Sequence, residues 1–322
     1  MKYADMHCDT ITVLYSKEGS LRENDLHNDL HKMKEGGCLL QNFAIFTDIA
    51  RKDSSFTWKA IDYYHAQMKE NEDLIRPATS YEEIMENERN GYMSGMLTLE
   101  EGSVVDGDLK NLERFYDAGV RMITLTWNYP NGIGFPNFTP DRGMEREEML
   151  RQINTKDGLT PFGIGYVKRM NELGMIVDVS HLSDAGFYDV LKYSNKPFVA
   201  SHSNARSLCS VARNLSDEMI RKLSEAGGVM GLNFCSSFVH EKDTGYTTIE
   251  GMVAHIRHIV SVGGIDCIGL GSDFDGIHSK LEIKDASGMG RLHDALKPYF
   301  TQEEIEKIFY KNVLRVYKEV IG

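Results

Sequence analysis

Six residues in this chain combine the right types with a shared position, each standing at the end of a short, mostly apolar run. His7 and Asp9 lie two apart in Asp5-Met6-His7-Cys8-Asp9-Thr10. On a strand, side chains at that spacing share a face, so an imidazole and a carboxylate would project together from one strand tip. Glu100 follows Met96 to Leu99, His181 follows Met175 to Ser180, His202 follows Pro197 to Ser201, and Asp273 follows Cys267 to Ser272. Three histidines and three carboxylates are too many donors for one tetrahedral metal. They suit two, because a carboxylate has two oxygens and can bridge a pair of cations roughly 3.5 to 4 Å apart, the spacing of two-metal hydrolytic sites. Zinc fits the mixed imidazole and carboxylate set, with manganese or cobalt able to use similar ligands.

The elements that must position these donors alternate along the chain. Extended runs are expected at the N-terminus up to His7, then at Cys38 to Phe46, Tyr92 to Leu99, Val120 to Thr126, Met175 to Ser180, Pro197 to Ser201, Val229 to Phe234 and Cys267 to Gly271. Helices are expected between them at about 58–71, from Ser80 with Glu83 as a capping box, over 108–118, and from Thr160-Pro161 to Leu173. Others should start at Ser183, run over 216–225 and 249–262, and close the chain after Thr301, which makes a capping box with Glu304. Eight strands mostly separated by helices predict an α/β fold, a (β/α)8 TIM barrel of the metal-dependent amidohydrolase kind. One barrel domain should span residues 1–322. Its long loop, at about 128–160, is rich in Gly, Pro and Asn and is expected to act as a lid. In such barrels chemistry sits at the C-terminal ends of the strands, where all six donors fall.

The bulk properties narrow the partners. A net charge of −12 disfavours nucleic acid and an anionic membrane surface. Five scattered cysteines without CxxC spacing predict reduced thiols, and the first strand begins too early for an apolar signal segment. No apolar run reaches the roughly 18 residues of a membrane span, so a cytoplasmic location is expected. Nothing in the sequence argues against a homodimer. No Gly-rich phosphate loop opens a helix after a strand, which removes the obvious nucleotide readings.

The segments DMHCDT, LTLEEG, RMITLTWN, GLTPFG, MIVDVSH, ASHSNARS, VARNLSD, GLGSDFDG and NVLRVY occur in one order from about Tyr3 to Tyr317. This arrangement resembles the membrane (renal) dipeptidase family of binuclear zinc peptidases. The resemblance implies a zinc dipeptidase in which a hydroxide bridging two zinc ions attacks the peptide carbonyl. It implies that His7, Asp9 and Glu100 bind one zinc, that Glu100 bridges to the other, and that His181 and His202 complete the second. Asp273 matches an aspartate near the first zinc that takes the water's proton, and Arg213 an arginine that holds the substrate's terminal carboxylate, a task for a forked guanidinium. One position departs from the pattern. Trp127 stands where renal-type members have a histidine supporting the scissile carbonyl, and an indole donates one hydrogen bond but carries no proton. Two rivals remain: another amidohydrolase-type hydrolase or deaminase, which needs no grip on a free carboxylate, and a metal-binding protein whose catalysis is lost through Trp127.

Other polar residues have plainer expectations. His27 with His31, and His255 with His258, have helical metal spacing but end no strand, so packing or surface roles are expected. Glu101 should point away from Glu100 into solvent. Asp178 and Asp275 are expected either to support metal ligands or to satisfy local backbone, with nothing in the sequence to choose.

Overall fold

The computed structural model describes residues 1–137 and 144–322. Eight parallel strands close into a barrel: β1 (Tyr3–Cys8), β2 (Cys38–Phe46), β3 (Met93–Glu100), β4 (Val120–Thr124), β5 (Ile176–Asp178), β6 (Val199–Ala200), β7 (Val229–Leu232) and β8 (Ile268–Leu270). Each pairs with the next, and β8 pairs back with β1 through Asp5 and Leu270, so the expected (β/α)8 architecture is present. A short strand the sequence had not suggested, Ile75–Pro77, lies along the N-terminal end of β3, ahead of where β4 takes the same edge. Tyr246–Thr247 and Lys280–Leu281 pair outside the barrel.

Strands β4 to β7 are shorter than their apolar runs suggest, for a reason that matters to the site. Beyond Asp178 and Ala200, the N–H groups of Ser180 and Ser201 donate to the Asp178 carboxylate at 3.0 and 2.8 Å instead of to a neighbouring strand. Side chains thus replace the ladder where the barrel mouth opens, and the backbone there is free to aim polar groups inward.

The helices begin largely where capping residues placed them. Thr160 accepts from Gly163 N–H ahead of Pro161–Leu173, and Ser183 accepts from Gly186 N–H ahead of Asp184–Tyr193. Thr301 and Glu304 make the reciprocal capping box. Ser80 caps Tyr81–Arg89, but Glu83 reaches back to Thr79 N–H rather than to Ser80, so that box is incomplete. The helix expected from about residue 58 begins at Ser54, because the Asp53 side chain caps it first. The long loop carries a short helix, Arg146–Leu150, whose Met149 and Leu150 reach the barrel mouth. Its centre, residues 138–143, lies outside the described residues.

Two apolar layers hold this frame. Between strands and outer helices run Phe43, Leu97, Phe115, Tyr166, Phe187, Phe198 and Ile256, all buried. Inside, at the N-terminal end, Met6, Leu40, Met96, Met122, Ile176 and Val229 meet Val313, Val316 and Tyr317 of the final helix, Asn312–Val320. Each such buried side chain contributes about 1.5–3 kcal/mol relative to exposure. The final helix thereby closes one end of the barrel and leaves the other open. Among the described residues, no helix is long and apolar enough to cross a membrane.

Candidate metal centre

All six strand-end donors meet at the open mouth. His7 Nε2 lies 3.5 Å from Asp9 Oδ2, 3.5 Å from Glu100 Oε2 and 4.0 Å from Asp273 Oδ1. The other Glu100 oxygen, Oε1, lies 3.0 Å from His181 Nε2 and 3.8 Å from His202 Nε2, and these two nitrogens are 3.0 Å apart. Glu100 therefore offers one oxygen to each of two imidazole groups, the disposition a bridging ligand needs. The donor atoms of His7, Asp9 and Asp273 lie within 4.8 Å of one another, as do those of His7, Glu100 and His202. The second trio cuts across the expected division of ligands, because the His7 and His202 rings approach to 3.8 Å between centroids.

The surrounding chain holds these groups in place. Asp5 accepts from His7 N–H at 3.2 Å and from the Ser272 N–H and hydroxyl at 2.9 and 2.6 Å, tying β1 to the turn that carries Asp273. Asn233, just past β7, donates to Asp273 Oδ2 at 2.9 Å. It is missed from sequence because the apolar run Val229 to Phe234 puts Asn233 inside the strand, whereas β7 ends at Leu232. His181 and Asp273 have φ of 69° and 61°, left-handed values uncommon for residues other than glycine. Such conformations gather at functional sites, where the surroundings fix them.

The site fits cations on its own chemistry. Both ring nitrogens of His7 are buried with no hydrogen-bond partner among the described residues, although three carboxylates surround Nε2. An orphaned buried imidazole is costly unless something pairs with it. Burial pulls His181 down to about 4 and His202 well below its ordinary value, so both rings are neutral at physiological pH, the form in which an imidazole can bind a cation. Burial works the same way on His7, but Glu100 and Asp9 outweigh it and hold that ring well above its usual value. Burial raises Asp9 to about 6, with Glu100 adding to the effect. Asp273 rises to about 7, again chiefly by burial, with His7 opposing. Glu100 is lowered despite its burial because His7 and His181 face it. Without cations the cluster thus retains protons that bound metal would displace.

Asp9, Glu100, His181 and Asp273 line a cleft of about 730 Å³. Arg213 lines it and is almost wholly buried, giving Nη1 to Ser203 Oγ and Nη2 to the His202 carbonyl, both at 3.2 Å. Its Nε has no partner among the described residues. Trp127 stands half-buried in the wall, 4.8 Å from the Phe46 ring and 6.2 Å from His181 between centroids.

Three expectations need revision or resolution. Glu101 is fully buried, not solvated: a φ of 96° turns the chain as β3 ends, so the strand alternation no longer applies. Its carboxylate accepts from the N–H groups of Ser103 and Trp127 at 2.9 and 3.1 Å and from Asn131 at 2.5 Å, anchoring the segment that carries Trp127. Asp178 supports a ligand segment, accepting from the Ser201 hydroxyl, which lies 2.7 Å from His202 Nδ1. Asp275 does not serve its local backbone: it accepts from Thr10 Oγ1, next to Asp9, at 2.6 Å and from His27 N–H at 2.7 Å, tying the turn after β8 to the segment that follows β1. His27 faces Asp275, His31 is exposed, His255 bonds the Val239 carbonyl and His258 pairs with Asp217; none joins the cluster.

A model of the membrane dipeptidase family, peptidase family M19, matches residues 1–321. The chain belongs to this family. Over 315 residues it is 32% identical to an uncharacterized dipeptidase of Schizosaccharomyces pombe, covering 92% of this chain and 73% of that protein. Over 227 residues it is 38% identical to an uncharacterized Klebsiella pneumoniae protein from the pqqA 5' region, covering 67% and 78%. The solved structure of dipeptidase AC, an M19 metallopeptidase, superposes with a TM-score of 0.89 at 26% identity, covering 100% of this chain and 99% of that one. Family and structural likeness together support a metal-dependent dipeptidase.

Proposed function

We propose that this M19 member hydrolyses dipeptides with two zinc ions held at the barrel mouth. What carries the proposal is the placement of Glu100, whose two oxygens face separate imidazole groups, in the same cleft as a buried, incompletely paired arginine. His7, Asp9 and Glu100 would hold one cation, and Glu100, His181 and His202 the other. Bound there, the pair would supply an activated water and polarise the scissile carbonyl. Asp273 takes a proton from the attacking water and hands it to the leaving amine, a role its place beside His7 and its bond from Asn233 Nδ2 suit. Arg213 grips the substrate's C-terminal carboxylate, whose charge satisfies the buried guanidinium. Trp127 walls the cleft beside His181 and offers its indole N–H to the carbonyl oxygen. The five free cysteines agree with a reducing, cytoplasmic setting.

The zinc-loaded protein should cleave a panel of free dipeptides. Amidating the C-terminus should lower kcat/KM roughly 10- to 150-fold, the range for losing a charge-assisted hydrogen bond worth about 1.5–3 kcal/mol. Equal cleavage of amidated and free dipeptides would favour a different amidohydrolase-type reaction, and cleavage of neither would favour a binding protein.

A further inference from the structure

Asp178 is a wholly buried carboxylate to which the proposed reaction gives no part. Its Oδ1 accepts from the N–H groups of Ser180 and Ser201 at 3.0 and 2.8 Å, and its Oδ2 from the hydroxyls of Thr124 and Ser201, each at 2.6 Å. A carboxylate has about four lone-pair positions, so these four donors fill it. Ser201 has one hydroxyl proton and three neighbours for it: Asp178, His202 Nδ1 at 2.7 Å and Ser180 Oγ at 3.3 Å. The charged acceptor at 2.6 Å is the strongest and takes the proton. Toward His202 the Ser201 oxygen can then only accept. The ring must present N–H at Nδ1, leaving the lone pair on Nε2, which faces His181 Nε2 and Glu100 Oε1.

We propose that Asp178, acting through Ser201, is a positioning residue that fixes His202 in the Nδ1–H tautomer and keeps its Nε2 free to bind a divalent cation. This rests on the metal centre proposed above. His181 has the direct equivalent, its Nδ1 lying 2.8 Å from Asn128 Oδ1. A serine bridge lets one carboxylate serve two tasks, joining β4, β5 and the turn after β6 while setting the ring.

Asp178→Asn separates these tasks. An asparagine can still accept from the two backbone N–H groups, but its NH2 would donate to the Thr124 and Ser201 hydroxyls. The Ser201 proton would then turn toward His202 Nδ1, and the imidazole hydrogen would move to Nε2, where it blocks ligation. Long-range proton–nitrogen correlation spectra of metal-free protein should show His202 as Nδ1–H in the wild type and as Nε2–H in D178N. Competition with a chromophoric chelator should show one of the two zinc ions bound roughly 10- to 100-fold more weakly in D178N and in S201A, the usual range for losing such a partner. An Nε2–H tautomer in the wild type overturns the proposal, as does folded S201A that binds both zinc ions as tightly as the wild type. Wild-type protein that takes up no zinc would sink the metal centre itself, while the tautomer of metal-free His202 still decides the role of Asp178.

Discussion

Asp273 and Asp9 face the same imidazole from different strands but do different work, one moving a proton and the other holding a cation, and single substitutions separate them. Asp273→Asn keeps the shape and the bond to Asn233 while removing the proton carrier. Turnover should fall by about 10²–10⁴-fold, the range for general acid–base catalysis, with metal content measured by atomic emission largely retained. Retained activity would remove Asp273 from the proton path. Gly276 is a subtler case: a Cβ there would collide with Asp9 Oδ2 and Asp273 Oδ1, so only glycine leaves room for both carboxylates. Gly276→Ala should displace them and lower bound zinc from two per chain toward one; two tightly held ions in that variant would contradict the arrangement. At this scale the sequence was readable where a donor ended a strand and unreadable where the backbone turned. Glu100 could be placed from strand period, whereas burying its neighbour Glu101 depends on a φ of 96° that no local pattern announces. The Ser201 bridge was equally hidden, since a hydroxyl beside a histidine has no spacing signature.

The elements divide the labour between the two ends of the barrel. The final helix seals the N-terminal end, where the Tyr317 hydroxyl lies 2.5 Å from Asn42 Nδ2. Tyr317→Phe should leave that buried amide short of a partner and cost about 1–3 kcal/mol in denaturant unfolding of the zinc-loaded protein. Because the site lies at the other end, kcat should stay near the wild-type value; a large loss of kcat without loss of stability would contradict this division. Helix starts were legible because Thr160, Ser183 and Thr301 satisfy N–H groups locally. Strand ends were less so. The ladder of β5 and β6 stops where the Asp178 side chain takes over, which depends on residues far apart in sequence.

For the molecule as a whole, the barrel was legible in its alternation of apolar runs and capped helices, and the site in the polar residue after each run. Closure was not, because β6 has only two residues and the ring depends on pairings such as Asp5 with Leu270. The assembled mouth also makes metal and proton compete. With His7 held well above its usual value and Asp9 raised to about 6, the metal-free protein holds protons on these proposed ligands that bound zinc must expel. Apparent zinc affinity, followed by chelator competition, should therefore weaken as pH falls from 8 to 5.5, by roughly tenfold per pH unit for each proton displaced. A flat profile would mean that His7 and Asp9 are not ligands. The most direct test of the pair of cations is anomalous diffraction at the zinc edge from crystals of the loaded protein. Two peaks roughly 3.5 to 4 Å apart are expected, one on each side of Glu100. A single peak, or peaks away from His7, His181 and His202, would contradict it.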